Sequence, residues 1–254
     1  MADAQNPVDG TRISYDVAGE GPAVVLLHGS ALSRAIWRGL GYVKALEGFT
    51  VVRIDLRGHG RSGKPHDPDA YAMDLLVADV LAVLDAEQLA SAAVVGYSFG
   101  SRVGFSLAAT APERVEKLVA LGGTFRPQSG QVAKVFFDGY LDALRTGGMQ
   151  AFVGGQRLDP QTKAAFMAND STALVAYFER TEVEPGLDES VLPGLGLPAL
   201  LMAGTRDAER YLDSRRAAEL MPAARFVALQ GRTHGSTLFP ADEVLAEMLP
   251  FLRA

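Results

Sequence analysis

Val94-Val95-Gly96-Tyr97-Ser98-Phe99-Gly100 is the stretch where chain geometry and reactive chemistry coincide. Ala92 to Val95 is a short apolar run, β-branched at its end, which reads as a buried strand. Beyond Gly100, the residues Val103, Phe105, Leu107 and Ala108 recur among Ala and Ser, as on a helix packed closely against a sheet. Between the two lies Gly-x-Ser-x-Gly. A reversal this sharp holds its central residue in a strained conformation, and glycine on either side leaves room for neighbouring backbone. Ser98 would stand at the apex with Oγ exposed, and the Phe99 amide would lie at the positive end of the helix. The plain alternative is a tight strand-to-helix connection with an ordinary serine. A serine hydroxyl is a poor nucleophile until a base takes its proton, so the deciding question is whether the chain supplies one.

Outward from this stretch, strand and helix patterns alternate. Thr11 to Val17 alternates polar and apolar, and Gly19-Glu20-Gly21-Pro22 reads as a turn, suggesting an antiparallel hairpin into the next strand. Ala23 to Leu27 is continuously apolar, the mark of a strand covered on both faces, and ends at His28-Gly29-Ser30. Ile36 to Leu46 reads as a helix and Thr50 to Leu56 as a buried strand ending in a Gly-rich loop from Arg57 to Gly63. Asp74 to Leu89 carries a helical apolar face, and Lys117 to Leu121 is the strand after the Ser98 helix. From Gly122 to Leu197 the alternation stops, with helical candidates at Gln131 to Arg145, Gln161 to Met167 and Ser171 to Arg180. It then resumes with strands at Pro198 to Ala203 and Arg225 to Leu229 and helices at Glu209 to Met221 and Ala241 to Leu252. This is the pattern of an α/β protein with a mostly parallel sheet covered on both sides. The helical interlude reads as an insertion over the carboxyl ends of the strands, where open α/β sheets bind ligands.

Those carboxyl ends are where a base for Ser98 belongs. Of the four histidines, His234 lies just past the strand ending at Leu229, within Gly231-Arg232-Thr233-His234-Gly235. His59 and His66 sit in the polar loop after Leu56, where a turn or solvent role fits better, and His28 reads as buried and hydrogen-bonded. The base needs a carboxylate to orient it and to stabilise its cation. Asp207, just beyond the strand that runs into Gly204-Thr205-Arg206, is the candidate. Its rivals are Asp188 in the interlude and Glu209 and Asp213, which read as solvated on the next helix. Asp55 also ends a strand, but hydrogen-bonding the Gly-rich turn behind it suits it better. A developing oxyanion needs two donors; the Phe99 amide is one, and Ser30, directly after His28-Gly29, is placed for the other.

The gross composition excludes several classes. A formal charge of −6, with Lys and Arg scattered along the chain, disfavours a nucleic-acid partner. With no cysteine there is no disulfide, thiolate nucleophile or cysteine-ligated metal. No run is long enough for a membrane span, and Met1 to Gly10 lacks a signal-peptide apolar core, which leads to the expectation of a cytoplasmic protein.

Taken together, His28-Gly29, Asp55-Leu56-Arg57-Gly58-His59-Gly60-Arg61-Ser62, Gly96-Tyr97-Ser98-Phe99-Gly100, Gly204-Thr205-Arg206-Asp207 and His234 resemble the α/β-hydrolase superfamily. The likeness is closest to its small serine esterase, enol-lactonase and cofactor-free haloperoxidase branch. It implies an eight-stranded, mostly parallel sheet formed by residues 1–122 and 197–254, with residues 123–196 as a helical cap after the sixth strand. Carried over by position, Ser98 is nucleophile, His234 base and Asp207 acid, with Ser30 and Phe99 as oxyanion amides. Members whose nucleophile is aspartate, such as haloalkane dehalogenases and epoxide hydrolases, match less well because Ser98 occupies that place. Ser101 stands where many relatives have a second glycine, and Arg102, next to it, reads as a solvated or structural arginine.

The expected chemistry is hydrolysis of a carboxylic ester or lactone through a Ser98 acyl-enzyme, with no metal or organic cofactor. Phe136, Phe137, Tyr140, Met149, Phe152, Phe166 and Tyr177 are candidate lining for an apolar pocket suited to small or medium, uncharged acyl groups. Perhydrolysis, acyl transfer or a lyase reaction on the same triad are the alternatives among enzymes. A small-molecule receptor on a hydrolase scaffold is the alternative from another class. No oligomeric state follows from the sequence.

Overall fold

The computed structural model describes residues 1–254. Eight strands form one sheet: β1 (Ala2–Gln5), β2 (Arg12–Ala18), β3 (Ala23–Leu27), β4 (Thr50–Ile54), β5 (Ala92–Tyr97), β6 (Val115–Leu121), β7 (Ala199–Gly204) and β8 (Ala224–Leu229). Their order is β1-β2-β4-β3-β5-β6-β7-β8, with β1–β2 and β2–β4 antiparallel and every other pair parallel. Helices α1 (Ala35–Gly39), α2 (Tyr42–Ala45), α3 (Met73–Ala86) and α4 (Phe99–Thr110) fall among the first six strands. Four more, α5 (Val132–Val135), α6 (Tyr140–Gly154), α7 (Pro160–Met167) and α8 (Ser171–Val183), lie between β6 and β7 with no strand among them. Helices α9 (Ala208–Leu220) and α10 (Ala241–Arg253) complete the chain. None of these helices is long and apolar enough to cross a membrane.

The strand side chains alternate between two apolar cores, as a pleated strand buried on both faces requires. Val25, Leu27, Ala92 and Val94 join the larger core with α3, α4 and the four helices that follow β6. Val24, Leu26, Ala93 and Val95 point the other way, to Trp37, Tyr42 and the Val244–Met248–Leu252 face of α10.

Three local expectations are corrected, and one strand was not foreseen. The Gly19–Pro22 turn makes no hairpin: β2 pairs with β4, Tyr15 opposite Ile54, and β3 lies beyond β4. The cause is burial. The continuously apolar β3 needs a strand on each side, whereas the alternating β2 can lie near the edge. The expected helix from Ile36 to Leu46 is two short ones, broken where Gly41 takes a φ of 85°. The expected helix from Gln131 to Arg145 also breaks, at Gly139, and its second part runs on through a kink at Gly148. The polar N-terminus supplies an unforeseen edge strand, β1.

The loop after β4 is held by buried polar contacts. Asp55 accepts from the backbone amides of Arg34 (2.8 Å) and Arg61 (3.0 Å), the turn-bracing role foreseen for it. The fully buried Arg57 pairs with Asp79 at 2.6 Å and Asp9 at 2.8 Å. His59 is not in solvent; it is fully buried, its ring against those of His28 and Tyr177. The His66 side chain is the one exposed as foreseen.

Burial pushes the His59 imidazole down to about 3, and neighbouring His28 adds to the effect. Below its ordinary range the unfolded chain therefore takes up a proton that the folded chain refuses. Stability should fall as the pH drops from about 6.5 toward 3, by about 1.4 kcal/mol per pH unit for this group. Urea unfolding midpoints across that range should show a shallower loss for His59→Gln than for the wild type.

Candidate active site

Ser98 occupies the turn between β5 and α4 with φ 52° and ψ −111°, a left-handed conformation that a residue with a side chain rarely adopts. The flanking glycines are obligatory. A Cβ on Gly96 would sit 2.4 Å from the Gly100 backbone, and one on Gly100 would sit 2.1 Å from the Leu27 carbonyl oxygen. The Ser98 amide donates to the Leu121 carbonyl (2.9 Å), tying the turn to β6.

Asp207 follows β7 at the mouth of α9, and His234 opens a short 3-10 turn after β8. These distant segments meet. His234 Nε2 lies 2.8 Å from Ser98 Oγ, and His234 Nδ1 lies 2.7 Å from Asp207 Oδ2. With the Nδ1 proton donated to the carboxylate, Nε2 is free to accept from the hydroxyl. Tyr97, which the sequence reading did not single out, donates its hydroxyl to the His234 carbonyl (2.9 Å) and stacks its ring on the imidazole. Thr233 and Ser236 bond one another across the turn, which steadies the loop.

The rival carboxylates lie elsewhere. Asp188 caps a 3-10 turn through the Ser190 amide, and Glu209 pairs with Lys134 at 2.9 Å. Asp213 is not solvated; it accepts from Thr124 Oγ1 (2.6 Å) and pairs with Arg126 (3.1 Å).

Phe99 begins α4, where helix geometry leaves its amide without an intrahelical acceptor. The Ser30 amide bonds no protein group, while Ser30 Oγ and the Tyr177 hydroxyl are 2.6 Å apart. Gly29 brings this loop against the turn: a Cβ there would stand 2.9 Å from the Tyr97 ring and 3.3 Å from Ser98 Cβ. Burial pushes the Tyr177 phenol up to about 12, so it stays a neutral hydroxyl. His28 is neutral too, with Nε2 accepting from the Leu56 amide (3.0 Å) and Nδ1 donating to the Gly29 carbonyl (2.8 Å).

Ser98, Ser30 and Phe99 open onto a cavity with about 410 Å³ of atom-free space, part of it open to solvent. Of the seven lining candidates, Phe136 and Tyr177 reach it. Phe137, Tyr140, Met149, Phe152 and Phe166 do not; they pack the helices after β6 onto one another, as in the Phe152–Phe166 and Tyr140–Phe178 ring pairs. Nor is the cavity simply apolar. Arg102, Arg210, Thr124 and Gln128 share its wall, so the expectation of a lining suited only to uncharged groups is corrected. Arg102 is buried, not solvated. The missed signal was helical spacing. Arg102 lies four residues past Ser98 and Arg210 three past Asp207, which turns both toward the site.

A strand-turn-helix serine bonded to a histidine and an aspartate from later strands, under a run of helices, defines a recognisable class, and the chain belongs to the α/β-hydrolase fold family. That family's sequence model matches residues 22–151, just over half of the chain. The bifunctional epoxide hydrolase 2 of Sus scrofa is 30% identical over 197 residues, a match covering 72% of this chain and 35% of that protein. The chain thus spans about a third of that relative's length. A putative carbamate hydrolase, RutD, of Caulobacter segnis is 38% identical over 154 residues, covering 59% of this chain and 55% of the other. Among solved structures, the enol-lactonase from Burkholderia xenovorans LB400 superposes over 100% of both chains with a TM-score of 0.85 and 26% identity.

The backbone at Ser98 stores strain that glycine would release. Ser98→Gly should raise unfolding stability by about 1 kcal/mol, after allowing for glycine's greater freedom in the unfolded chain. Ser98→Ala keeps the Cβ and should give no such gain. Chemical denaturation of the two variants side by side measures the difference.

Proposed function

We propose that the protein is a serine hydrolase that cleaves a small carboxylic ester or lactone. The observation that carries this reading is the unbroken series Ser98 Oγ–His234 Nε2–Nδ1–Asp207 Oδ2, with links of 2.8 and 2.7 Å, opening on a cavity. His234 takes the Ser98 proton as Oγ attacks the substrate carbonyl, and Asp207 stabilises the imidazolium that forms. The oxyanion is received by the Ser30 and Phe99 amides, neither of which donates to a protein acceptor. Collapse of the tetrahedral intermediate expels the alcohol, which leaves with the proton from His234. Water then attacks the acyl-enzyme with His234 again as base, and Ser98 is regenerated. No step calls for a metal or an organic cofactor. Residues 123–196 act as a cap that selects the substrate, since α5 and α8 supply cavity wall while Asn169 and Tyr177 bond to the Ser30–Ala31 loop.

The full-length likeness to an enol-lactonase supports a lactone or ester over other acyl compounds. Epoxide opening, named for a partial relative, is less well supported because the nucleophile position holds Ser98.

A panel of p-nitrophenyl esters and lactones should be turned over by the wild type and not by Ser98→Ala. Asp207→Asn should lower kcat by about 10⁴-fold with little change in fold. A fluorophosphonate should label Ser98, read by mass spectrometry of the adduct. Label on another residue, or tight small-molecule binding without any turnover, overturns the proposal.

A further inference from the structure

Six arginines are buried: Arg34, Arg53, Arg57, Arg102, Arg210 and Arg232. Four are neutralised in the ordinary way, Arg34 and Arg53 by Asp16 and Asp55 together, Arg57 by Asp79 and Arg232 by Glu243. Arg102 and Arg210, 4% and 5% exposed, have no carboxylate within 4.0 Å, and they are the two that line the Ser98 cavity.

The carboxylates nearest these two are committed elsewhere. Glu184 is bonded by Arg180, Asp213 by Thr124 and Arg126, Asp207 by His234 and Glu209 by Lys134. Arg102 spends one terminal nitrogen on the Glu184 carbonyl (3.0 Å), and its buried Nε has no partner at all. Arg210 spends one on Gln128 Oε1, and its remaining nitrogens bond no protein group. A buried guanidinium without a counter-charge is costly, and a half-satisfied one more so than one left in water. Two of them beside one cavity repel each other as well; burial holds Arg102 below its usual range, and Arg210 adds to the effect. Nothing in the packing of the fold calls for this, since the other four sites show how the same chain satisfies a buried arginine.

Resting on the reading of Ser98 as an acyl-transfer nucleophile, we infer that Arg102 and Arg210 form an anion subsite and that the substrate is an ester or lactone bearing a free carboxylate. The carboxylate supplies the missing counter-charge and accepts from the unpartnered guanidinium nitrogens. Planar N–H forks match carboxylate geometry, and charge-assisted hydrogen bonds in a buried site are the strong ones. Binding there leaves the reacting carbonyl to Ser98, Ser30 and Phe99, which line the same cavity. Both arginines are thus specificity residues, outside the proton-transfer series.

Matched substrates test this. The acetate ester of para-hydroxybenzoate is compared with that of para-hydroxybenzamide, and a γ-butyrolactone carrying a carboxylate with its carboxamide. In at least one pair the wild type should favour the anion by about 10- to 100-fold in kcat/KM. Arg102→Gln and Arg210→Gln should each collapse that ratio, chiefly through KM, and Arg102→Lys should restore part of it. A second measurement needs no turnover. Glutarate should bind the Ser98→Ala protein in calorimetry, and adding Arg210→Gln should weaken it by about tenfold or more. Equal cleavage of both members of each pair through Ser98 overturns the subsite and leaves the hydrolase reading intact. Arginine-dependent glutarate binding with no ester cleaved does the reverse. Absence of glutarate binding, with variants that remain folded by circular dichroism, also overturns the subsite.

Discussion

A backbone held at φ 52° on a residue with a side chain is the constraint on which the rest of the structure depends. Such a conformation survives only where its surroundings over-determine it. Here β5 has β3 on one side and β6 on the other, and the start of α4 is pressed so closely onto β3 that Gly100 has no room for a methyl group. The same closeness sets Gly29 against Tyr97 and Ser98, which brings the Ser30 loop to the hydroxyl. The Ser98 hydroxyl and the Ser30 and Phe99 amides are therefore positioned by one packing event. They are rigid because the sheet interior is rigid.

What the sequence made legible follows from how locally each feature is encoded. The turn at Ser98 was readable because its glycines answer a steric demand within five residues. Asp207 and His234 were readable because a parallel sheet puts every strand's carboxyl end on one edge, so that residues just past late strands converge on that edge. The order of the strands was less accessible. Whether β2 pairs with β3 or β4 is settled by which strand must be covered on both faces, and a turn of Gly19 to Pro22 is compatible with either. His59 was misplaced because a polar Gly-rich loop reads as solvent-facing, whereas this one folds inward around Arg57 and Asp79. The helices after β6 were least legible. Their aromatic residues recur at spacings that serve packing within the segment and lining of a cavity equally well, and most serve the former.

The cavity wall then has two parts with different physical origins. One is backbone: amides left over at the start of α4 and in the loop after β3, which follow from helix and turn geometry and would be present whatever the substrate. The other is side chain, Arg102 and Arg210, and follows from nothing in the fold. The first part suits any carbonyl that develops negative charge. The second discriminates, because it costs free energy until an anion arrives.

That division explains why family membership and substrate are separate questions for this chain. The features shared across the α/β-hydrolase fold family are those the turn enforces sterically, and they leave the reaction class open to any acyl compound that fits. Selectivity has to come from groups that the turn does not dictate. In this molecule Arg102 projects from the helix that begins at the turn, and Arg210 from the helix that begins at Asp207. Each guanidinium is therefore carried by the same rigid element as a member of the Ser98–His234–Asp207 series. On the proposed reading, a substrate anchored through its charge is held in fixed register with the Ser98 hydroxyl, with no moving part needed between recognition and chemistry.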